Sequence, residues 1–370
     1  MEFSWIGVLC VVGTFLLSAV LGRVVIPRIV LISKKRRLFD AVSERKVHQG
    51  SVPRLGGLSF FPIFLISFTS LLGLRYSLGY ELSPMFAINF VREFLLVTGG
   101  AAVLMIAGIV DDIRGIGYKV KFVAQFVSAA LLVGSGLWIG DLNGLFGIHS
   151  IPVWAGIPLT LLIVAFVENA YNLIDGIDGL CAGLAIVAFM FLGGWFLYNQ
   201  LYVYAMLASA ILGVLATFFF YNTVFKRLKI FMGDTGSLLL GFLIAFLGLK
   251  FFNEAPAISP TVKPLSIIIG VVFIPVFDTL RVFTIRLSKG LSPFFPDRKH
   301  IHHQFLDLGF SHLRATGMII IIQIFFIALN IALRRMNINL ILALDFVLWL
   351  AIMMTIQGFR RRQARRQRGE

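Results

Sequence analysis

Apolar runs close to twenty residues long recur from one end of this 370-residue chain to the other. About twenty such residues wound as an α-helix cross roughly 30 Å of hydrocarbon. Stretches such as Phe94–Val110 offer water no polar face. A soluble protein is about half apolar and a quarter charged, whereas this one is 58% hydrophobic and 14% charged. The reading is an all-α polytopic membrane bundle, not a soluble helical protein with a large core. Eleven spans are expected, near 5–32, 57–74, 94–110, 121–139, 151–168, 180–198, 201–221, 236–253, 264–280, 315–333 and 339–357. The opening "MEFSWIGVLC" has no basic leader and too long an apolar run for a secretory signal, so it reads as a retained first span. Residues 1–357 form one transmembrane domain, followed by a basic tail at 358–370. Cys10 and Cys181 lie in apolar segments with no disulfide or metal spacing.

The basic residues give an orientation. Of 33 Lys and Arg, 25 fall in one alternating set: segments 34–57, 111–121, 226–229 and 281–314, and the tail. Five fall in the opposite loops, at Arg75, Arg92, Lys263, Arg334 and Arg335. Cytoplasmic loops carry the excess of positive charge, so the N-terminus is expected outside and the tail in the cytoplasm. An odd number of spans separately puts the two termini on opposite sides, which agrees. The net charge of +15 is then topological anchoring and attraction to anionic lipid heads; no nucleic-acid partner is expected.

With that topology, nearly every residue able to do chemistry faces the cytoplasm. In "NAYNLIDGIDGL", Asn169, Asn172, Asp175 and Asp178 recur at a three-residue step. On an α-helix each would lag the last by roughly 60°, winding across half the helix unless the segment breaks. Carboxylate and carboxamide oxygens suit Mg²⁺, with substrate phosphates completing its shell. Asp111 and Asp112 end an apolar helix, where acids oppose the helix dipole and require a compensating cation; Lys119 and Lys121 are near in sequence. Asp234 in "FMGDTGS" reads either as a helix N-cap or as part of an anion site. "DRKHIHH" gathers Arg298, Lys299, His300, His302 and His303, a mixture better suited to a multiply charged phosphate than to zinc. Asp278 and Arg281, one turn apart, read as an internal ion pair, and Asp345 as a bundle-facing hydrogen bond.

"HQGSVPRLGG", "DDIRG", "NAYNLIDGIDGL", "FMGDTGS" and "DRKHIHH", in this order between Lys35 and Asp307, resemble the motifs of the polyprenyl-phosphate N-acetylhexosamine-1-phosphate transferases. The resemblance implies a bacterial cytoplasmic-membrane enzyme with its active site facing the cytoplasm. It would pass a sugar 1-phosphate from a UDP-N-acetylhexosamine to undecaprenyl phosphate, release UMP and use Mg²⁺ or Mn²⁺. That step starts cell-envelope glycan assembly. "DRKHIHH" is similar to the branch that uses UDP-N-acetylglucosamine; the alternative is the phospho-MurNAc-pentapeptide transferase of peptidoglycan synthesis, whose triple-His run sits in another context. By the resemblance, Asp111, Asp112 and Lys121 are catalytic and Asn172 and Asp234 hold the metal. His48, Arg54, Asn169, Asp175, Asp178, Asn222, Arg298, His300, His302 and His303 would meet substrate. One departure is "YNTVFKRLKIF", which keeps Asn222 but replaces the family's following prolines with Thr223, Val224 and a basic cluster. A homodimer is left open. A transporter would place its polar groups at mid-membrane in broken helices, often with internal repeats; here they cluster at one face.

Overall fold

The computed structural model describes residues 4–36, 52–80, 83–259, 262–293 and 298–368, with side chains to Gln363. In chain order the helices are α1 (Trp5–Lys35), α2 (Phe60–Ser77), α3 (Pro84–Arg114), α4 (Tyr118–Gly134), α5 (Val153–Ile174), α6 (Leu180–Tyr198), α7 (Tyr202–Thr223), α8 (Gly233–Ile258), α9 (Pro264–Val271), α10 (Phe273–Leu287), α11 (Ile301–Asp307), α12 (His312–Ala332) and α13 (Ile338–Arg368). A 3-10 turn, Gly56–Ser59, leads into α2, and strands β1 (Asp141–Leu145) and β2 (Ile148–Ser150) pair antiparallel between α4 and α5.

Among the described residues, nine helices are long and apolar enough to cross a membrane, or ten if α9 and α10 count as one bent span. The chain is a multi-pass, all-α membrane protein. Several of the expected boundaries change. Helix α4 stops at Gly134 after 17 residues, where Gly136 turns the chain at φ +97°. Helix α3 starts ten residues before the expected 94, because Glu93 is buried and paired with Lys250 at 2.9 Å and Tyr204 at 2.6 Å, so a charge there does not mark a helix end. The expected span 264–280 is broken at Val272 by 76°. A further difference is the β1–β2 hairpin between the expected spans 121–139 and 151–168, where Asn143 accepts the Leu265 N–H at the start of α9 (3.1 Å).

Helix α8 is the axis of the bundle, with α3, α5, α6 and α9 packed around it. Its residues are buried without interruption from Thr235 to Phe252, the fate expected of a helix that is apolar on every side. Helices α1 and α7 pack along each other, as do α6 and α7. Residues on the outward face of α1 (Leu9, Val12, Leu16, Val20) are exposed, as lipid contact requires.

Hydrogen bonds divide the element ends into two groups. At one end Lys34 Nζ reaches Arg227 O (2.8 Å), Gly57 N reaches Met232 O (2.8 Å), and Asp178 meets both Lys229 (2.7 Å) and His312 (3.1 Å). At the other, Ser4 N donates to Tyr202 Oη (3.0 Å) and Phe146 N to Asn339 Oδ1 (2.8 Å). All the motif segments described belong to the first group.

Candidate active site

The site is assembled where the C-termini of α3 and α5 meet the N-termini of α4 and α8. Helix α8 begins at Gly233, so its first N–H groups lack partners within the helix. Asp112 supplies them from 122 residues away: it accepts Asp234 N (2.8 Å), Thr235 N (3.1 Å) and Thr235 Oγ1 (2.7 Å). The acid expected to cap α8, Asp234, is instead its second residue, and its carboxylate turns to Lys121. Asp112 thus places α3's negative C-terminal end against α8's positive N-terminal end, which answers the dipole conflict of the two adjacent acids.

Asp111 accepts Ile116 N (2.8 Å) and pairs with Lys121 (2.7 Å). The same Lys121 ammonium also contacts Asp234, so it bridges two carboxylates. Lys119 is exposed and takes no part. One oxygen from each of Asp111, Asp112 and Asp234 lies within 4.8 Å of the others. Three acids that close to one lysine leave net negative charge and an oxygen-only donor set, which fits a hard divalent cation. Asn172 donates to Ser237 Oγ (2.9 Å), and Ser237 bonds back to Gly233 O (3.1 Å), so Asn172 also stands at the α8 N-terminus.

Helix α5 continues to Ile174, so Asn169 and Asn172 are helical, not part of the expected 168–180 loop. Asp175 is the residue that ends the helix, and Asp178 lies in the turn before α6. Burial, then the Asp234 charge, raises the Asp175 pKa to about 7, with Arg54 opposing. Burial would raise Asp178 too, but hydrogen bonds from His312 and Lys229 outweigh it and hold its carboxyl below the usual range. Asn222 holds backbone on both sides. Its Oδ1 accepts Gly179 N (2.5 Å) and its Nδ2 donates to Ile230 O (2.9 Å), fixing the 175–179 turn to the segment before α8.

Arg54 is exposed, and the extended stretch around it pairs with the α8 approach through Gly56 N to Phe231 O (2.9 Å) and Phe231 N to Pro53 O (2.8 Å). A side chain at Gly57 would overlap the Gly236 backbone, which explains why these two motifs carry glycine. His48 lies outside the described residues.

His300 caps α11, and His302 and His303 lie in its first turn, at the same end. Asp278, fully buried on α10, pairs with Arg281 (2.6 Å), as expected, and also bonds His300 Nδ1 (2.9 Å) and Ile301 N (3.1 Å). The His302 ring lies directly over Gly176, where any Cβ would strike it. Burial, then the neighbouring His303 and His300, holds His302 well below the usual imidazole pKa; burial and Arg298 lower His303. Both shifts favour uncharged rings, while positive charge comes from exposed Arg298. Sequence reading missed Lys229, His312 and Ser237. Nothing in local spacing links them to partners 51, 134 and 65 residues away.

A membrane bundle that presents clustered acids, one bridging lysine and a basic–histidine segment at one end is equipped to handle a charged phosphate at the lipid boundary. Residues 94–252 match the family described as Glycosyl transferase family 4. A probable undecaprenyl-phosphate N-acetylglucosaminyl 1-phosphate transferase of Bacillus subtilis (strain 168) is 33% identical over 91% of this chain and 89% of its own. The undecaprenyl-phosphate alpha-N-acetylglucosaminyl 1-phosphate transferases of Yersinia pestis and Escherichia coli (strain K12) are 32% and 31% identical, over 76% and 78% of this chain and 73% and 74% of theirs. The chain belongs to this family of membrane transferases, the one its motifs resemble, and is an enzyme of that class.

Proposed function

We propose that the protein transfers N-acetylglucosamine 1-phosphate from UDP-N-acetylglucosamine to undecaprenyl phosphate at the cytoplasmic face of a bacterial cytoplasmic membrane. The observation that carries this reading is Lys121 bridging Asp111 and Asp234 at the half-buried start of α8. An oxygen of the lipid phosphate attacks the phosphorus next to the sugar; the bond from that phosphorus to the bridging oxygen of the diphosphate breaks, and UMP leaves. Both reactants are anions, so the barrier is largely electrostatic. Asn172 and Asp234, with Asp111 and Asp112 adjacent, would hold Mg²⁺ or Mn²⁺, which when bound neutralises diphosphate charge. Lys121 is then drawn to the phosphates, and Arg298 with the three histidines grips the donor. Asp111 orients the lipid phosphate and accepts its last proton. Their position on helix ends keeps the acids at the depth of a lipid headgroup while the prenyl chain stays in hydrocarbon. Relatives named for N-acetylglucosamine favour this donor over UDP-MurNAc-pentapeptide.

The test is incorporation of label from a series of UDP-sugars into a butanol-soluble lipid. UDP-N-acetylglucosamine should be the best donor, EDTA should abolish transfer, and Mg²⁺ or Mn²⁺ should restore it. Transfer from UDP-MurNAc-pentapeptide alone would reassign the substrate, and full turnover in excess chelator would remove the metal.

A further inference from the structure

Helix α9 gives way to α10 at Val272 with a 76° bend, and Pro275 is the cause. Proline has no N–H for the Val271 carbonyl four residues back, and its ring crowds that carbonyl. The bend also separates Gly270 O from Ile274 N, its ordinary helical partner. Three backbone groups are therefore freed inside an apolar bundle, where each must find another partner.

A single side chain from α12 takes all three. Gln323, fully buried, accepts Ile274 N through Oε1 (2.9 Å) and donates through Nε2 to Gly270 O (2.6 Å) and Val271 O (2.8 Å). Beyond the bend, α10 carries Asp278, which bonds His300 Nδ1 (2.9 Å) and Ile301 N (3.1 Å), and Arg281, which donates to Lys299 O (2.6 Å). Next in line, His302 packs on Gly176 in the acidic turn. Six residues separate Val272 from Asp278, so at 1.5 Å per residue, straightening the bend would move Asp278 by roughly 11 Å. No hydrogen bond to His300 survives such a shift.

We propose that Gln323 is a positioning residue for donor binding: it holds the α9–α10 bend that aims Asp278 at His300 and so sets the histidine cluster against the acidic turn. This inference rests on the reading of that cluster as the donor grip.

Two substitutions attack the bend in opposite ways. Gln323→Met removes the side-chain partner of all three backbone groups. Pro275→Ala restores an N–H to Val271 O, so a straightened helix re-forms the backbone bonds that Gln323 had replaced while giving up the Asp278–His300 contact. Each is combined with His300→Ala, and Asn330→Leu, buried on the same helix but bonded to Asp345, serves as control. Calorimetric binding of UDP-N-acetylglucosamine to detergent-purified protein is measured beside turnover.

Both bend variants should weaken donor binding and raise its KM about tenfold in the native background, with little further loss when His300 is already Ala. The KM for undecaprenyl phosphate should stay constant. Asn330→Leu should have the same effect with or without His300. Full losses in the His300→Ala background, or native donor binding in Pro275→Ala, would overturn the proposal. Failure of the native protein to bind or use any UDP-sugar would instead reject the functional reading, a separate outcome.

Discussion

Asp112 gives the sharpest quantitative test, because the structure assigns it a different role from Asp111 beside it. Asp112→Ala strips the α8 N-terminus of acceptors for Asp234 N, Thr235 N and Thr235 Oγ1. Loss of a single cap costs about 0.5–2 kcal/mol. With two N–H groups and a hydroxyl left in a half-buried place, about 2–4 kcal/mol is expected. Asp112→Asn keeps one acceptor oxygen and should lose about half as much. Asp111→Asn loses its pairing with Lys121 but relieves crowding with Asp234, so its stability should change by less than about 1 kcal/mol. Thermal unfolding in one detergent, with initial rates at saturating Mg²⁺, separates the effects. Activity should fall in all three, but the unfolding midpoint should fall steeply only at position 112. An Asp112→Ala midpoint equal to that of Asp111→Asn would refute the capping role and leave Asp112 a purely chemical group.

Asp175 predicts a pH-dependent response to metal. Its folded pKa near 7 stands above the ordinary 3.8, so the proton favours the folded state at low pH and that advantage is lost as pH rises through about 4 to 7. A cation that competes with this proton should raise the unfolding midpoint more at pH 8 than at pH 6, and Asp175→Asn should flatten the difference; equal shifts in the native protein would reject it. Gly57→Ala should unfold or inactivate the enzyme because the new Cβ overlaps the Gly236 backbone, while Gly73→Ala, with nothing within 4 Å, should be neutral or stabilising by up to about 1 kcal/mol. With the buried Cys10 and Cys181 replaced, a cysteine at Ala257 should label with an impermeant reagent in intact cells and one at Gln363 should not; the reverse pattern would invert the topology.

The fold is legible wherever the local rule is hydrophobicity. Long apolar segments announce nearly every helix, and α8, apolar on all sides, is the central one. The failures share a cause: a local signal is cancelled by a distant partner. Glu93 reads as a helix boundary, yet Lys250 and Tyr204 neutralise it. Pro275 sits in an apolar run that reads as one continuous span, because the groups freed around it are satisfied by Gln323, 49 residues on from Ile274. The site divides in the same way. The motifs point to Asp111, Lys121, Asn172, Asp175 and Asp234, which the fold gathers around the start of α8 and the end of α5. They do not separate Asp112 and Asn222, which hold backbone, from neighbours of the same type.

Those holding roles follow from where the site stands. The acids stand where α3 and α5 end and α8 begins, and helix ends leave unpaired N–H and carbonyl groups. Asp112 takes the N–H groups that start α8, Asn222 takes Gly179 N and Ile230 O, and Asp278 takes Ile301 N. Each of these polar side chains secures a helix end or turn within a few residues of Asp234, Asp178 or His302. A polar residue of this kind is therefore indistinguishable by type from a catalytic one, and only its hydrogen-bond partners separate the two. In Asp111 and Lys121 the partners are chiefly each other and Asp234, charged groups with capacity left for a ligand; in Asp112 they are the backbone of α8. That contrast is why stability, and not activity alone, is the measurement that distinguishes them.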